Sequence, residues 1–202
     1  MIGLDISASE TGVSIVDRHP SGELDLVFVD TINTEPSRKY KGVTIKYTDG
    51  ERLSLIRDSL WEILDRYIPD TYIKEGQGAD MNKFRSVSLV SKATGVIEEC
   101  VEAWHRSQGN TDPAIIHAYP PSTIKKEVTG FGGVDKTITG TDTWSKYLRK
   151  KPVIDAVLEE FNPTKFSSTV KKLKGVERTL YNDNECDSVA CILTHLKKKG
   201  LK

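Results

Sequence analysis

The chain has no excess charge: 29 Lys and Arg balance 29 Asp and Glu over 202 residues. That excludes a uniformly basic nucleic-acid coat, so any affinity for phosphate has to come from local patches. Cysteine is scarce. Cys100, Cys186 and Cys191 have no zinc-site spacing. Their odd number, with no signal peptide in view, leads to an expectation of reduced thiols in a cytoplasmic protein. No apolar run is long enough to cross a bilayer, so no membrane partner is expected. Internal repeats and low-complexity segments are lacking too. What is present is 37% apolar and 29% charged residues, the balance of a soluble globular chain. Its length suits one domain, residues 1–202, with a sizeable core.

The first fourteen residues, MIGLDISASETGVS, organise the rest. Ile2 to Ile6 reads as a strand carrying Asp5, Ser7 to Gly12 as a turn, and Val13 to Val16 as the start of a second strand. A carboxylate in a buried strand needs something to offset its desolvation, such as a metal ion. Alternatively Asp5 caps the turn through its own backbone. Leu24 to Ile32 is a third alternating strand. Asn33 to Lys41 reads as a polar loop, and Val43 to Tyr47 as a short strand or a continuation of that loop. Asp49 to Tyr67 has helical periodicity, with Leu53, Ile56, Leu60, Ile63, Leu64 and Tyr67 on its apolar face.

Thr71 to Glu75 is a strand ending on a second acid. A long helix follows over Asn82 to Arg106, in which Ser86, Ser88, Ala93 and Gly95 would permit close approach to the sheet. Ala114 to Ala118 is the next strand. Strand, helix, strand in this order implies parallel pairing, whereas the first three strands should be antiparallel. The expected fold class is therefore α/β: a five-stranded mixed sheet, three antiparallel then two parallel strands, with helices on both faces. Ser122 to Thr129, Ser145 to Phe161 and Asn184 to Lys199 read as helices. Gly130 to Gly133 is a break. Asn162 to Arg178 is a basic stretch with no assigned structure.

Three acids stand out: Asp5 and Glu75 at strand ends, and Asp187 in the first turn of the last helix. Such hard oxygen ligands suit magnesium or manganese. Two ions about 4 Å apart stabilise both the attacking and the leaving oxygen at phosphorus. Phosphodiester hydrolysis is the leading chemistry on these grounds, although taken alone an acid at the position of Asp187 more often serves the helix dipole.

At four places the chain resembles the RuvC-like Holliday-junction resolvases of the RNase H-like superfamily, in particular their phage branch. The segments are IGLDISASETG (Ile2–Gly12), YIKEG (Tyr72–Gly76), PPSTIKKEVTGFGGVDK (Pro120–Lys136) and DNECDSVACILTH (Asp183–His195). Residues 33–50 and 137–180 match little. The resemblance implies a structure-selective endonuclease that resolves four-way or other branched DNA by paired nicks. It also implies two Mg2+ or Mn2+ ions and a homodimer. Asp5, Glu75 and Asp187 would be metal ligands and catalytic. The family's fourth ligand falls on Asn184, a departure that leaves two options: the Asn184 amide oxygen, or Asp183. Lys136 would be a catalytic cation near the scissile phosphate, and Lys125 and Lys126 would join it in binding DNA.

Other residues stay open between two roles. Phe131 is either a wedge at the branch point or a loop anchor in the core. Lys146, Arg149, Lys150 and Lys151 either bind phosphates or form a solvated face. His19, His105, His117 and His195 are assigned no catalytic part. Two competing readings have their own markers. A non-cleaving branched-DNA-binding protein of the same fold would explain Asn184. A phosphate-hairpin ATPase or kinase domain would share the Asp and Thr-Gly opening, but it needs a second phosphate hairpin that this sequence does not show.

Overall fold

A computed structural model describes residues 1–7, 9–40, 43–76, 84–133, 137–173 and 175–202, with the side chains of residues 38, 40 and 84–87 outside the description. Ile2–Asp5 (β1), Glu10–Arg18 (β2) and Leu24–Asn33 (β3) form an antiparallel meander. Ser37–Tyr40 (β4) and Val43–Lys46 (β5) pair separately, so the stretch expected as a polar loop contains a strand. Asp49–Tyr67 (α1) has the expected bounds, and its start is fixed by a reciprocal Thr48–Glu51 capping box. Tyr72–Glu75 (β6) lies parallel to β1, and Ile116–Tyr119 (β7) parallel to β6. The central sheet therefore runs β3-β2-β1-β6-β7, with the expected three antiparallel and two parallel strands.

Alternation along β1 sorts the core into two layers. Ile2 and Leu4 pack with Val13 and Ile15 against α1 and Phe84–Ser107 (α2), where Leu60, Ile97 and Trp104 are buried. Val16, next along β2, faces the opposite layer, and a register shift that leaves Val27 unpaired turns Leu26 of β3 to join it there although Phe28 faces the first layer. Pro121–Thr129 (α3), Thr143–Glu160 (α4) and Asp183–Lys198 (α5) cover that second face. In α2, Ala93 is buried as expected for close packing, but Gly95 is exposed and a side chain there would meet nothing within 4 Å. The Asn82 end of the expected helix lies outside the described residues.

The close approach occurs instead at two strand glycines. A Cβ on Gly3 would lie 2.2 Å from the Ser188 carbonyl oxygen, and one on Gly12 would lie 2.0 Å from that of Asn184. Only glycine lets the backbone of α5 lie this near to β1 and β2. Asn182 then caps α5, its side chain accepting from the Asn184 and Glu185 amides. Asp183, the alternative fourth ligand, is the first helical residue.

The basic Asn162–Arg178 stretch is structured over its described residues. After a single 3-10 turn it forms an antiparallel hairpin, Ser168–Leu173 (β8) and Val176–Tyr181 (β9). Gly175, at φ 81°, lies in the two-residue connection, where a left-handed residue matches the twist of the strands. None of the described helices is long and apolar enough to cross a membrane.

Candidate active site

Three elements bring the acids together. Asp5 is the last residue of β1 and Glu75 the last of β6, one step beyond the parallel pair Leu4–Lys74. Asp5 also pairs with Gly12 across the hairpin. Because the missing Gly12 side chain admits the first turn of α5, Asp187 is set within electrostatic reach of both strand acids.

The crowding of like charge is visible in their titration. Burial, then the charges of Asp187 and Glu75, push the Asp5 carboxyl well above its ordinary range. Burial and then Asp187 push Glu75 up to about 7. Asp187 is raised by burial as well, although Lys150 opposes the shift. Lys150 Nζ lies 3.1 Å from Asp187 Oδ2 and is also paired with Asp183. Burial works against the Lys150 ammonium, but Asp187 and Asp183 more than offset that effect and raise its pKa.

The sequence reading placed Lys150 only within a basic run, and helical geometry sorts that run. Arg149 donates to the carbonyls of Ile138 and Gly140. Lys151 pairs with Asp155 on its own helix. Only Lys150 of these three turns to the acids, and a run of consecutive basic residues carries no signal that picks it out.

The Asn184 amide donates to Glu10 Oε2 at 2.8 Å, while Asp183 is held beside Asp187 through their shared lysine. Lys125 lies near enough for its charge to favour ionised Glu75 and Asp187, so α3 presents it to the site. Lys126, one position on, is exposed and packs its stem against Gly132. Phe131 is 64% exposed, which excludes the core anchor. Lys136 lies outside the described residues. The histidines sit elsewhere: His105 bonds the Tyr72 hydroxyl, and His195 bonds that of Tyr119 and packs on His117.

Among the described residues no three His, Cys, Asp or Glu side chains converge as they stand on a point fit for an ion. The chemistry of the donors nonetheless fits a hard divalent cation. Asp5, Glu75, Asp183 and Asp187 offer only carboxylate oxygens. Their mutual repulsion calls for more positive charge than Lys150 alone provides.

A mixed five-stranded sheet with helices on both faces, with acids at the ends of the adjacent strands β1 and β6, is the RNase H-like fold. Within that class the chain belongs to the family described as crossover junction endodeoxyribonuclease RuvC, whose model matches residues 1–141. It is 29% identical over 136 residues to a crossover junction endodeoxyribonuclease RuvC of Leifsonia xyli subsp. xyli, covering 67% of this chain and 57% of that protein. The corresponding protein of Clavibacter sepedonicus is 29% identical over 141 residues, covering 70% and 60%. The chain thus spans under two-thirds of these relatives' lengths.

Among solved structures, T. thermophilus RuvC in complex with a Holliday junction substrate superposes with a TM-score of 0.63 at 17% identity, covering 99% of this chain and 95% of that one. The yeast mitochondrial Holliday junction resolvase gives 0.56 at 12%, covering 99% and 80%. Both likenesses concern the fold. Resolvases of this family are metal-dependent nucleases.

Proposed function

We propose that this protein is a crossover junction endodeoxyribonuclease that resolves four-way or similarly branched DNA by paired nicks. The observation carrying the proposal is the juxtaposition of Asp5, Glu75 and Asp187, from β1, β6 and α5, in a chain of the RuvC family. All of residues 1–202 serve as one nuclease domain. Asp5, Glu75 and Asp187 would hold magnesium or manganese. Asp183 is favoured over Asn184 as the fourth ligand, because it brings a charged carboxylate beside Asp187 on a shared lysine, whereas Asn184 offers a neutral amide oxygen on a side chain whose NH2 is held by Glu10.

When bound, such a metal pair supplies an activated water and neutralises charge on the phosphate. The protein's own contribution is positional. The carboxylates fix where the phosphate can approach. Lys125 and Lys150 place cations beside the charge that develops on the phosphoryl oxygens, and Lys136 is assigned the same task. Lys126 serves DNA further from the chemistry. Phe131, exposed between glycines, is suited to insert at the branch point. Two symmetric nicks require two sites, so the working form is a homodimer. A bacterial cytoplasm, with a phage as the source of the gene, is the setting we infer.

The non-cleaving reading rested on Asn184 and is weakened by Asp183, which keeps a fourth carboxylate at the site. The test is cleavage of an end-labelled synthetic four-way junction beside a duplex of the same sequence, with Mg2+ or Mn2+. Symmetric nicks confined to the junction support the proposal. Junction binding without nicks in either metal favours the non-cleaving reading.

A further inference from the structure

Beside the acids, lined mostly by residues beyond the family match, runs a groove of about 810 Å3. One wall is α4 and the other is β8, with Leu180 of β9 on its floor. Strand alternation explains the hairpin's contribution. Thr169 and Lys171 share one face of β8, and their partners Leu180 and Arg178 share the same face of β9. Arg178 lies 4.1 Å over the Trp144 ring, and Trp144 stacks on Tyr147 at 5.7 Å between centroids. These contacts fasten the hairpin to α4 and place Tyr147 in the groove wall.

The charge of the groove is one-sided where it is free. Its acids, Glu10 and Asp183, are engaged by Asn184 and Lys150. Lys146 and Lys171, on opposite walls, are exposed and have no ion-pair partner among the described residues. Thr169, on the same face of β8 as Lys171, brings a hydroxyl-bearing side chain to that wall, and Ser167 and Ser168 also line the groove. At its inner end the groove reaches Asp183 and Lys150, so whatever lies in it leads to the acids.

We infer that this groove binds a single DNA strand continuous with the one being cut. Lys146 and Lys171 take successive phosphates, and the half-buried Tyr147 contributes the aromatic part of the wall. Opposed cations, hydroxyl donors and an aromatic side chain form the combination that tracks a single strand without reading its sequence. The inference rests on the nuclease reading above.

The test uses the full chain, calcium in place of the catalytic metal, and two labelled probes: a four-way junction and an oligothymidylate. Each phosphate contact on a single strand adds about 0.7 to the slope of log affinity against log salt. For K146A/K171A the oligothymidylate slope should fall by about 1.4, equivalent to roughly 25-fold in affinity at 0.1 M relative to 1 M salt. The melting temperature should hold, and K146R/K171R should keep the wild-type slope. An unchanged slope and affinity in the alanine variant, with wild type still nicking junctions, overturns the groove and leaves the nuclease intact. A wild type that nicks no junction in either metal overturns both.

Discussion

The Lys150 ammonium stands 3.1 Å from an Asp187 carboxylate oxygen and is shared with Asp183. One lysine from α4 thus serves as counter-ion to two acids of α5. Lys150→Ala should lower the stability of the metal-free protein. Lys150 is 43% exposed, so solvent screening holds the loss to about 1 kcal/mol. The same change frees two carboxylates, so added Mn2+ should raise the melting temperature of the variant by more than that of wild type. Thermal melts with chelator and with Mn2+ check this; an equal metal increment in both proteins would contradict it.

Glu75 makes stability depend on pH. Its carboxyl titrates near 7 in the folded chain, against an ordinary value of 4.5, because burial and then Asp187 disfavour its charge. The folded state therefore holds the proton more tightly than the unfolded one. The stabilisation is full below 4.5 and is lost as pH rises through about 7. Glu75→Gln cannot ionise. In chelator its melting temperature should exceed that of wild type at pH 8, by an amount worth up to about 3 kcal/mol. The two curves should converge below pH 4.5.

Gly12 fixes the seat of α5. A methyl group there would stand 2.0 Å from the Asn184 carbonyl oxygen, which is backbone and cannot rotate away. Gly12→Ala should cost about 3 kcal/mol or more, since relief requires shifting the first turn of α5. Denaturant melts would register the loss. Gly95→Ala, where nothing lies within 4 Å, is the control and should be neutral or slightly stabilising.

The thiols should be inert. Cys100, Cys186 and Cys191 are all buried, and burial pushes the Cys100 thiol up to about 12. A disulfide reagent at pH 8 should label none of the three until denaturant is added. Rapid labelling of the native protein would mean that α2 or α5 opens.

The sheet was legible because its signals are local: apolar runs punctuated by turns, and acids at the ends of β1 and β6. α1 carried its own start signal in Thr48 and Glu51. The β8–β9 hairpin was not legible. Its strands are mostly exposed, so alternation of burial is faint and the lysines read as a solvated patch. In the candidate site, Asp5 and Glu75 were legible as strand-end acids and Asp187 as an acid in a helix's first turn, whereas the pairing of Lys150 with Asp187 was not. That pairing depends on how α4 lies against α5, a long-range contact with no pattern in the run Arg149-Lys150-Lys151. Gly3 and Gly12 likewise gain meaning only once the helix is seen against them.

The central claim is that Asp5 is catalytic in a junction-resolving site. The most direct measurement compares wild type with Asp5→Asn on a labelled four-way junction in Mg2+ and Mn2+, with junction binding in Ca2+ measured alongside. The account predicts paired nicks by wild type, none by Asp5→Asn, and junction affinity within a fewfold for both. Nicking by Asp5→Asn at the wild-type rate would contradict it, and would place the chemistry away from the meeting point of β1, β6 and α5.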